Sequence, residues 1–283
     1  MKPAPFEYHR AESVADAAAM LAALGEGAKV LAGGQSLIPM LSLRLAVFDH
    51  LVDITRIPEL HGIERRNGSL WIGAGTTEAA IEHSPEVAGA VPLLARATPF
   101  VGHFQIRNRG TIGGSLAHAD PAAEYPAVAC ALDATFETTS RTIECPQFFT
   151  GLWDTALAPD ELLTGVRFPA WTGRCGFAID ELARRHGDFA IAGAAVAVEL
   201  DGDARVTRCG IGLIGLGSTP VRAHTAEAAA LDGSDANEIG ELAVADLDSI
   251  PSDLHGSASY RRKVGAVMVA RAWRRAIEEA RRG

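Results

Sequence analysis

The chain of 283 residues has few cysteines, and none is spaced to hold a metal. No two of them form a C-x-x-C pair; they are Cys130, Cys145, Cys175 and Cys209. Zinc ribbons and iron–sulfur centres need cysteines at short, fixed spacings, so the sequence predicts neither, and we identify no metal ligand. Four scattered cysteines in a chain of this length favour reduced thiols in the cytoplasm over a disulfide framework.

Long apolar segments are also missing. Residues 1–8 lack the apolar core of a signal peptide. The longest apolar stretch, residues 189–198, is shorter than the roughly 20 residues that a helix needs to cross a bilayer. We therefore expect a cytoplasmic protein without a transmembrane segment.

Basic residues are outnumbered, with 26 Lys and Arg against 35 Asp and Glu and a net charge of −9. Nucleic-acid binding needs a basic surface, so this composition argues against it, and a phosphate ligand would have to be bound by local groups. The end of the chain is the exception, with only Glu278 and Glu279 as acids. Its basic residues are Arg261, Arg262, Lys263, Arg271, Arg274, Arg275, Arg281 and Arg282. They form either a solvated helix face or a docking surface for an acidic partner.

The first half of the chain mixes helix and strand signals. Ser13 and Gly25 bracket an amphipathic segment as N-cap and stop, and residues 29–32 and 51–54 are typical of short strands. Asn67-Gly68 predicts a hairpin within residues 63–74. Thr77 and Ser84-Pro85 are candidate helix starts. Residues 122–131 are typical of a helix that Pro126 shortens or kinks.

The second half predicts a run of strands and then helices. Residues 135–138 and 162–168 are short strand candidates, and Pro169, Gly173 and Gly176 indicate a domain boundary. An antiparallel meander should follow in residues 177–183, 190–200 and 205–213, with helices from about Thr225, Ala236 and Ser257. The expected fold class is α+β, with domains at residues 1–172 and 176–283.

Two glycine pairs carry the functional signal. They lie in Ala32-Gly33-Gly34-Gln35-Ser36-Leu37 and in Thr111-Ile112-Gly113-Gly114-Ser115. Paired glycines let the backbone approach a bulky ligand, consecutive N–H groups can bind an anion, and a following helix start adds a favourable dipole. In the first segment Ser36 is the expected N-cap, with Pro39 in the first helical turn. Either pair alone is more typical of a simple tight turn, but together with their flanks they predict a diphosphate site.

A third glycine pattern is a false match. Residues 210–215 read Gly-Ile-Gly-Leu-Ile-Gly, which fits the dinucleotide-binding G-x-G-x-x-G pattern. That pattern needs a helix directly after it, whereas Gly217-Ser218-Thr219-Pro220 follows here. We interpret the segment as a glycine-rich strand.

Polar residues follow the second glycine pair. His118 is either a satisfied, partly buried histidine or a ligand contact, and Asp120 lies beside it. Glu124 is either an acid of a helix first turn or an acceptor for ligand hydroxyls.

Several long motifs resemble the medium subunit of carbon-monoxide dehydrogenase and its relatives in the xanthine dehydrogenase family. They are residues 32–41 (AGGQSLIPML), 107–121 (RNRGTIGGSLAHADP), 184–193 (RRHGDFAIAG), 212–220 (GLIGLGSTP) and 259–263 (SYRRK). The likeness runs nearly from end to end. It implies an FAD-binding domain of the vanillyl-alcohol-oxidase or p-cresol-methylhydroxylase (PCMH) type, in two α+β subdomains. A smaller C-terminal domain of the carbon-monoxide dehydrogenase flavoprotein type should follow.

The resemblance also implies which residues contact FAD. Both glycine segments carry over, together with Leu31, Val101, Gly110, Leu163, His118, Asp120 and Glu124. The aromatic residue beside the isoalloxazine ring maps onto Phe189, where relatives have tyrosine, so a hydroxyl is missing here. The resemblance gives no catalytic acid or base to this chain.

By the same resemblance, the chain is the electron-transfer subunit of a molybdenum hydroxylase. A large subunit would carry molybdopterin, a small subunit two [2Fe-2S] clusters, and the assembly would be a dimer of heterotrimers. Electrons would pass through FAD to an external acceptor. The alternatives are a stand-alone FAD-dependent oxidase of the same fold and a scaffold that no longer binds flavin.

Overall fold

The computed structural model describes residues 2–283. The chain begins with a small three-stranded parallel sheet in the order β1-β3-β2. Its elements are β1 (Glu7–Arg10), α1 (Val14–Leu24), β2 (Ala28–Leu31), α2 (Leu37–Leu43) and β3 (His50–Asp53). The Ser13 hydroxyl accepts from the N–H of Asp16, and Gly25 ends α1 at φ 65°, as expected. Ala17 and Leu21 of α1 pack with Val52 of β3 in a small separate core.

A five-stranded antiparallel sheet follows, in the order β4-β5-β10-β6-β7. Its strands are β4 (Ile63–Arg66), β5 (Ser69–Gly73), β6 (Thr135–Thr138), β7 (Thr142–Glu144) and β10 (Leu163–Pro169). The hairpin between β4 and β5 turns at Asn67 and Gly68, both at positive φ, which confirms that prediction. A two-stranded ribbon pairs β8 (Phe149–Gly151) with β9 (Asp154–Thr155).

Short helices pack around this sheet. They are α3 (Glu78–Glu82), α4 (Pro85–Ala90), α5 (Pro92–Ala97), α6 (Phe104–Arg107), α7 (Ile112–His118), α8 (Glu124–Ala131) and α9 (Cys145–Phe148), with 3-10 turns at Gly25–Gly27, Pro58–Leu60 and Thr98–Phe100. Thr77 and Ser84 cap α3 and α4 as predicted. The expected kink at Pro126 is wrong, because Pro126 lies in the first turn of α8, where its missing N–H costs nothing.

The C-terminal region contains the expected meander, followed by helices. Four strands pair in chain order: β11 (Arg174–Leu182), β12 (Ala192–Leu200), β13 (Val206–Ile214) and β14 (Val221–Arg222). The helices are α10 (His224–Leu231), α11 (Ala236–Ala245) and α12 (Ala258–Arg282), which Ser257 caps. The α+β class is confirmed, and the domain division at residues 172 and 176 stays a prediction.

The glycine-rich strand β13 joins the two regions. A Cβ atom at Gly210 or Gly212 would collide with the carbonyl oxygen of Ala131 or Ala127 in α8. The false dinucleotide pattern is therefore a strand, as predicted, whose glycines let a helix backbone approach closely. The main core accordingly mixes residues of the first region, such as Tyr125 and Phe136, with Phe177 from the second.

The basic residues of α12 mostly bind within the chain. Arg261 is buried and contacts Asp253 and the carbonyl of Ile191, while Arg262 donates to the carbonyl of Leu247. Arg275 donates to Asp180. Arg261 and Arg262 thus serve packing. The other basic residues are exposed and fit either a solvated helix face or a docking surface: Lys263, Arg271, Arg274, Arg275, Arg281 and Arg282. Within residues 2–283, none of the helices combines the length and the apolar character needed to cross a bilayer.

Candidate FAD site

The first glycine pair lies between β2 and α2 and leaves its backbone donors free. The N–H groups of Gly33, Gly34 and Gln35 donate to no atom of residues 2–283, whereas the Gln35 side chain folds back onto the carbonyl of Gly33. Gly34 adopts φ +72°, which only glycine reaches without strain. Three consecutive free donors in a turn that lines a cleft fit an anionic ligand. Ser36 lies at the N-cap of α2, as expected, but its hydroxyl makes no capping bond.

The second glycine pair is built differently. Thr111 caps α7, and the pair forms the first turn of that helix. Gly113 N–H donates to the carbonyl of Ala74 at 2.9 Å, and Gly114 N–H donates to Thr111 Oγ1 at 3.0 Å. The N–H groups of this pair are therefore occupied within the chain, and its role in binding FAD stays a prediction. Its glycines serve close packing, because a Cβ at Gly113 would lie 2.5 Å from the Cβ of Ala74.

The two segments nevertheless meet. A Cβ at Gly33 would lie 2.8 Å from the Cα of Gly110, and one at Gly114 would lie 3.6 Å from the Cβ of Ala32. In α7, Ile112, Gly113 and Leu116 are buried, while Gly114, Ser115 and His118 stay partly accessible on the opposite face. The two segments therefore lie against each other, and their convergence on one diphosphate stays a prediction.

A cleft of about 430 Å³ opens beside the first glycine pair, and its lining includes no residue of the second glycine segment, nor His118, Asp120 or Glu124. Its lining includes the predicted residues Leu31, Ala32, Gly33, Gly34 and Gln35, and also residues that sequence reasoning missed: Ile38, Pro39, Asp53, Thr55, Ile106 and Arg109. Asp53 and Thr55 could have been predicted from the sequence. Asp53 ends β3 and Thr55 follows it, at the same carboxyl edge of the parallel sheet as the first glycine pair. A larger groove of about 670 Å³ lies apart from the glycine segments, in the C-terminal region.

Glu124 stands in the first turn of α8 and is only 6% exposed. Burial raises its pKa to about 7, and the nearby charge of Asp120 raises it further against the lowering effect of a backbone hydrogen bond. A carboxyl group buried in this way is suited to exchange hydrogen bonds with ligand hydroxyls.

His118 and Asp120 are linked through Trp153. The indole ring of Trp153 lies parallel to the His118 ring at 6.2 Å, and its Nε1 donates to Asp120 at 3.2 Å. Burial lowers the pKa of His118, against the opposing charge of Asp120. His118 is thus held in its neutral form at the edge of the accessible face of α7.

Two further acids escaped the sequence analysis. Glu78 is 4% exposed, its Oε2 has no hydrogen-bond partner within residues 2–283, and burial together with the charge of Glu124 raises its pKa to about 8. Arg107, paired with Glu82, opposes that rise. Glu181 of β11 has a likewise unpartnered Oε2, and burial and Glu124 raise its pKa to about 8. Glu78 and Glu181, from distant segments, therefore each lie close enough to Glu124 for its charge to raise their pKa.

The remaining predicted residues lie outside the lining of the cleft. Val101 is partly buried and its carbonyl accepts from Arg107, and Leu163 is buried at the start of β10. Phe189 is 65% exposed in the loop between β11 and β12. That loop lies against the start of α6, because a Cβ at Gly187 would lie 2.8 Å from the ring of His103.

Comparison with known proteins agrees with this geometry. Residues 4–171 match the FAD binding domain in molybdopterin dehydrogenase, and residues 177–276 match the CO dehydrogenase flavoprotein C-terminal domain. The chain belongs to the FAD-binding medium subunits of molybdenum hydroxylases. FAD is thus its cofactor, and the resemblance found in the sequence is confirmed.

Relatives of this medium-subunit family match over nearly their full length. Subunit alpha of the 6-hydroxypseudooxynicotine dehydrogenase complex of Paenarthrobacter nicotinovorans is 42% identical, over 99% of this chain and 97% of its own. The carbon monoxide dehydrogenase medium chain of Hydrogenophaga pseudoflava is 39% identical, over 96% and 97%.

Solved structures support the same family assignment. Carbon monoxide dehydrogenase from Hydrogenophaga pseudoflava superposes with a TM-score of 0.94 at 40% identity, covering 99% of both chains. Quinoline 2-oxidoreductase from Pseudomonas putida gives 0.92 at 34% identity, also covering 99% of both. The members of the family are subunits of oxidoreductases, and this chain is a further one.

Proposed function

We propose that this chain accepts electrons from an iron–sulfur subunit and passes them, through its FAD, to an external acceptor. The single observation that carries the proposal is the junction of the two glycine segments, where three free backbone donors face a cleft. The names of the relatives, a medium chain and a complex subunit, support a role within a larger assembly.

In this proposal the diphosphate of FAD is bound by the N–H groups of Gly33, Gly34 and Gln35, with Arg109 adding positive charge at the cleft. The partly accessible face of α7, with Gly114 and Ser115, closes the other side. Such local donors suit an acidic chain, because backbone dipoles bind an anion without a net positive field.

Toward the flavin end, Glu124 exchanges hydrogen bonds with ribityl or ribose hydroxyls, while Leu163 and Phe189 contact the ring system. FAD supplies the redox chemistry, since it takes electrons one at a time and releases them in pairs. The chain's residues bind and orient it and exclude water, and none needs to act as an acid or base catalyst.

The partners we propose are a large molybdopterin-binding subunit and a small subunit with [2Fe-2S] clusters, assembled as a dimer of heterotrimers. All four cysteines of this chain are free, which suits a division in which the metal clusters are held by other subunits. Free thiols also support a cytoplasmic location.

Binding of FAD at the junction is tested with Gly114→Trp. An indole at the accessible face of α7 would fill the space beside Ala32, so we expect FAD affinity to fall by more than about 100-fold in calorimetry. The matched control is Gly89→Trp, since a side chain at Gly89 meets nothing within 4 Å. A folded Gly114→Trp protein with unchanged FAD affinity would rule out this site.

The electron-transfer step needs a separate experiment. The FAD-loaded chain is mixed in a stopped-flow instrument with the chemically reduced iron–sulfur subunit, and flavin absorbance near its visible maximum is followed. We expect bleaching of the flavin. Absence of bleaching, with oxygen uptake by the chain alone on an organic substrate, would instead favour the stand-alone oxidase.

A further inference from the structure

Three potential metal ligands meet on the N-terminal parallel sheet. Glu7 and His9 are two residues apart in β1, so their side chains project from the same face. His50 begins β3 and lies opposite Glu7 in the strand register, which puts it on that face too. No sequence motif indicates this group, because His50 lies 41 positions after His9.

The ligand atoms are close enough to share one ion. His9 Nε2 lies 3.1 Å from His50 Nδ1, and Glu7 Oε2 lies 3.5 Å from His50 Nδ1 and 3.8 Å from His9 Nε2. A tetrahedral Zn²⁺ with ligands at about 2.1 Å separates them from one another by about 3.4 Å. The three distances bracket that value without any movement of the backbone.

We propose that Glu7, His9 and His50 bind a divalent transition-metal ion of the Zn²⁺ type and that the ion fastens β1 to β3. Two imidazoles and one carboxylate form a ligand set that such ions prefer over Mg²⁺ or Ca²⁺, which bind oxygen atoms. The imidazoles are partly buried, with about a quarter of each side chain exposed, and Glu7 is open to water. A water molecule therefore completes the coordination.

The metal site and the FAD cleft lie at opposite ends of β3. His50 starts the strand and Asp53, which lines the cleft, ends it, so three residues or about 10 Å of extended chain separate them. The ion does not compete with FAD. Its effect falls on β1, a four-residue edge strand held in the sheet by β3 alone.

A direct hydrogen bond between the two imidazoles is the competing explanation of the 3.1 Å distance. It needs one ring N–H and does not involve Glu7. The two explanations differ in what added Zn²⁺ does, because only the metal site binds it with one-to-one stoichiometry.

The test uses the full, tag-free chain loaded with FAD, titrated with ZnCl₂ by calorimetry. We expect one site per chain, weakened by more than about 100-fold in His9→Ala/His50→Ala and partly in Glu7→Gln. The matched control, His83→Ala, removes one exposed histidine outside the cluster and should bind Zn²⁺ like the unmodified chain.

Two measurements on the unmodified protein complete the design. Added Co²⁺ should give a visible d–d absorption band, and Zn²⁺ should slow hydrogen exchange at the amides of β1. Zinc binding that is equal in the unmodified chain and the double variant, or an absent Co²⁺ band, would overturn the proposal. Because the Co²⁺ band needs no variant, the outcome stands even if the double variant fails to fold.

Discussion

At the scale of single residues, three acids have pKa values that burial raises. Glu78, Glu124 and Glu181 come from α3, α8 and β11, and the charge of Glu124 adds to the rise in the other two. The sequence points to Glu124 because it follows the second glycine pair and matches a family position. It does not reveal Glu78 or Glu181, since burial and mutual proximity are products of the tertiary fold.

Glu78 should make the stability of the FAD-free protein depend on pH. Its pKa is about 8 when folded against an ordinary 4.5, so its contribution is complete below pH 4.5 and is lost as the pH rises through 8. At about 1.4 kcal/mol per pH unit, the loss is on the order of 3–5 kcal/mol. Glu78→Gln should remove it.

Urea unfolding of both proteins at pH 5, 6, 7 and 8 measures this. The free energy of unfolding should fall more steeply with pH in the unmodified chain than in Glu78→Gln. Parallel curves would show that Glu78 is ionised in the folded protein. Glu86→Gln, at an exposed acid of α4, provides the control.

At the scale of elements, local sequence signals were sufficient to predict features that depend only on the neighbouring backbone. Ser13, Asn67-Gly68 and Ser257 each act on the neighbouring backbone, and each forms the predicted cap or turn. Gly113 shows the limit. Whether its N–H group is free or occupied depends on the carbonyl of Ala74, which follows β5 and is distant in sequence. The sequence therefore could not distinguish an anion-binding turn from a packed helix start.

The contact between α8 and β13 gives a prediction at this scale. Gly212→Ala puts a methyl group into the carbonyl oxygen of Ala127, so the backbones must separate. We expect a loss of about 3 kcal/mol in the free energy of unfolding. Gly89→Ala, with open space and a helical backbone, should stabilise by up to about 1 kcal/mol.

Chemical denaturation of the two variants and the unmodified chain measures the difference. If Gly212→Ala is as stable as Gly89→Ala, α8 does not rest on β13 as closely as the structure has it.

At the scale of the whole molecule, α12 at the C-terminus is bonded to α5 in the first half of the chain. Arg96 of α5 donates to Glu279 at 2.6 Å, and Glu279 also accepts from the N–H of Phe177 at 3.0 Å. The bond to Arg96 holds the pKa of Glu279 below its usual range, although burial opposes it. One carboxylate thus connects α5, β11 and α12.

Glu279→Ala should therefore destabilise the protein, by about 1 kcal/mol because the pair is partly exposed. Because the folded pKa is depressed, this contribution is present above the ordinary pKa of 4.5 and is lost as the pH falls through the lower folded value. Thermal unfolding at pH 7 and pH 3 measures the difference in stability between Glu279→Ala and the unmodified chain. This difference should be smaller at pH 3.

Glu278→Ala is the matched control, since Glu278 pairs only with Arg282 on the same exposed helix face. It should change stability by less than about 0.5 kcal/mol. Equal effects of the two substitutions would argue against a bridging role for Glu279.

Helix α8 begins at Glu124, the acid we propose to face the flavin, and ends against the glycines of β13. Its eight residues contact both α7, whose accessible face we propose as one side of the FAD site, and the meander. Binding of FAD should therefore stabilise both halves of the chain. Calorimetric scans should show both halves melting together in one endotherm that moves upward as FAD is added.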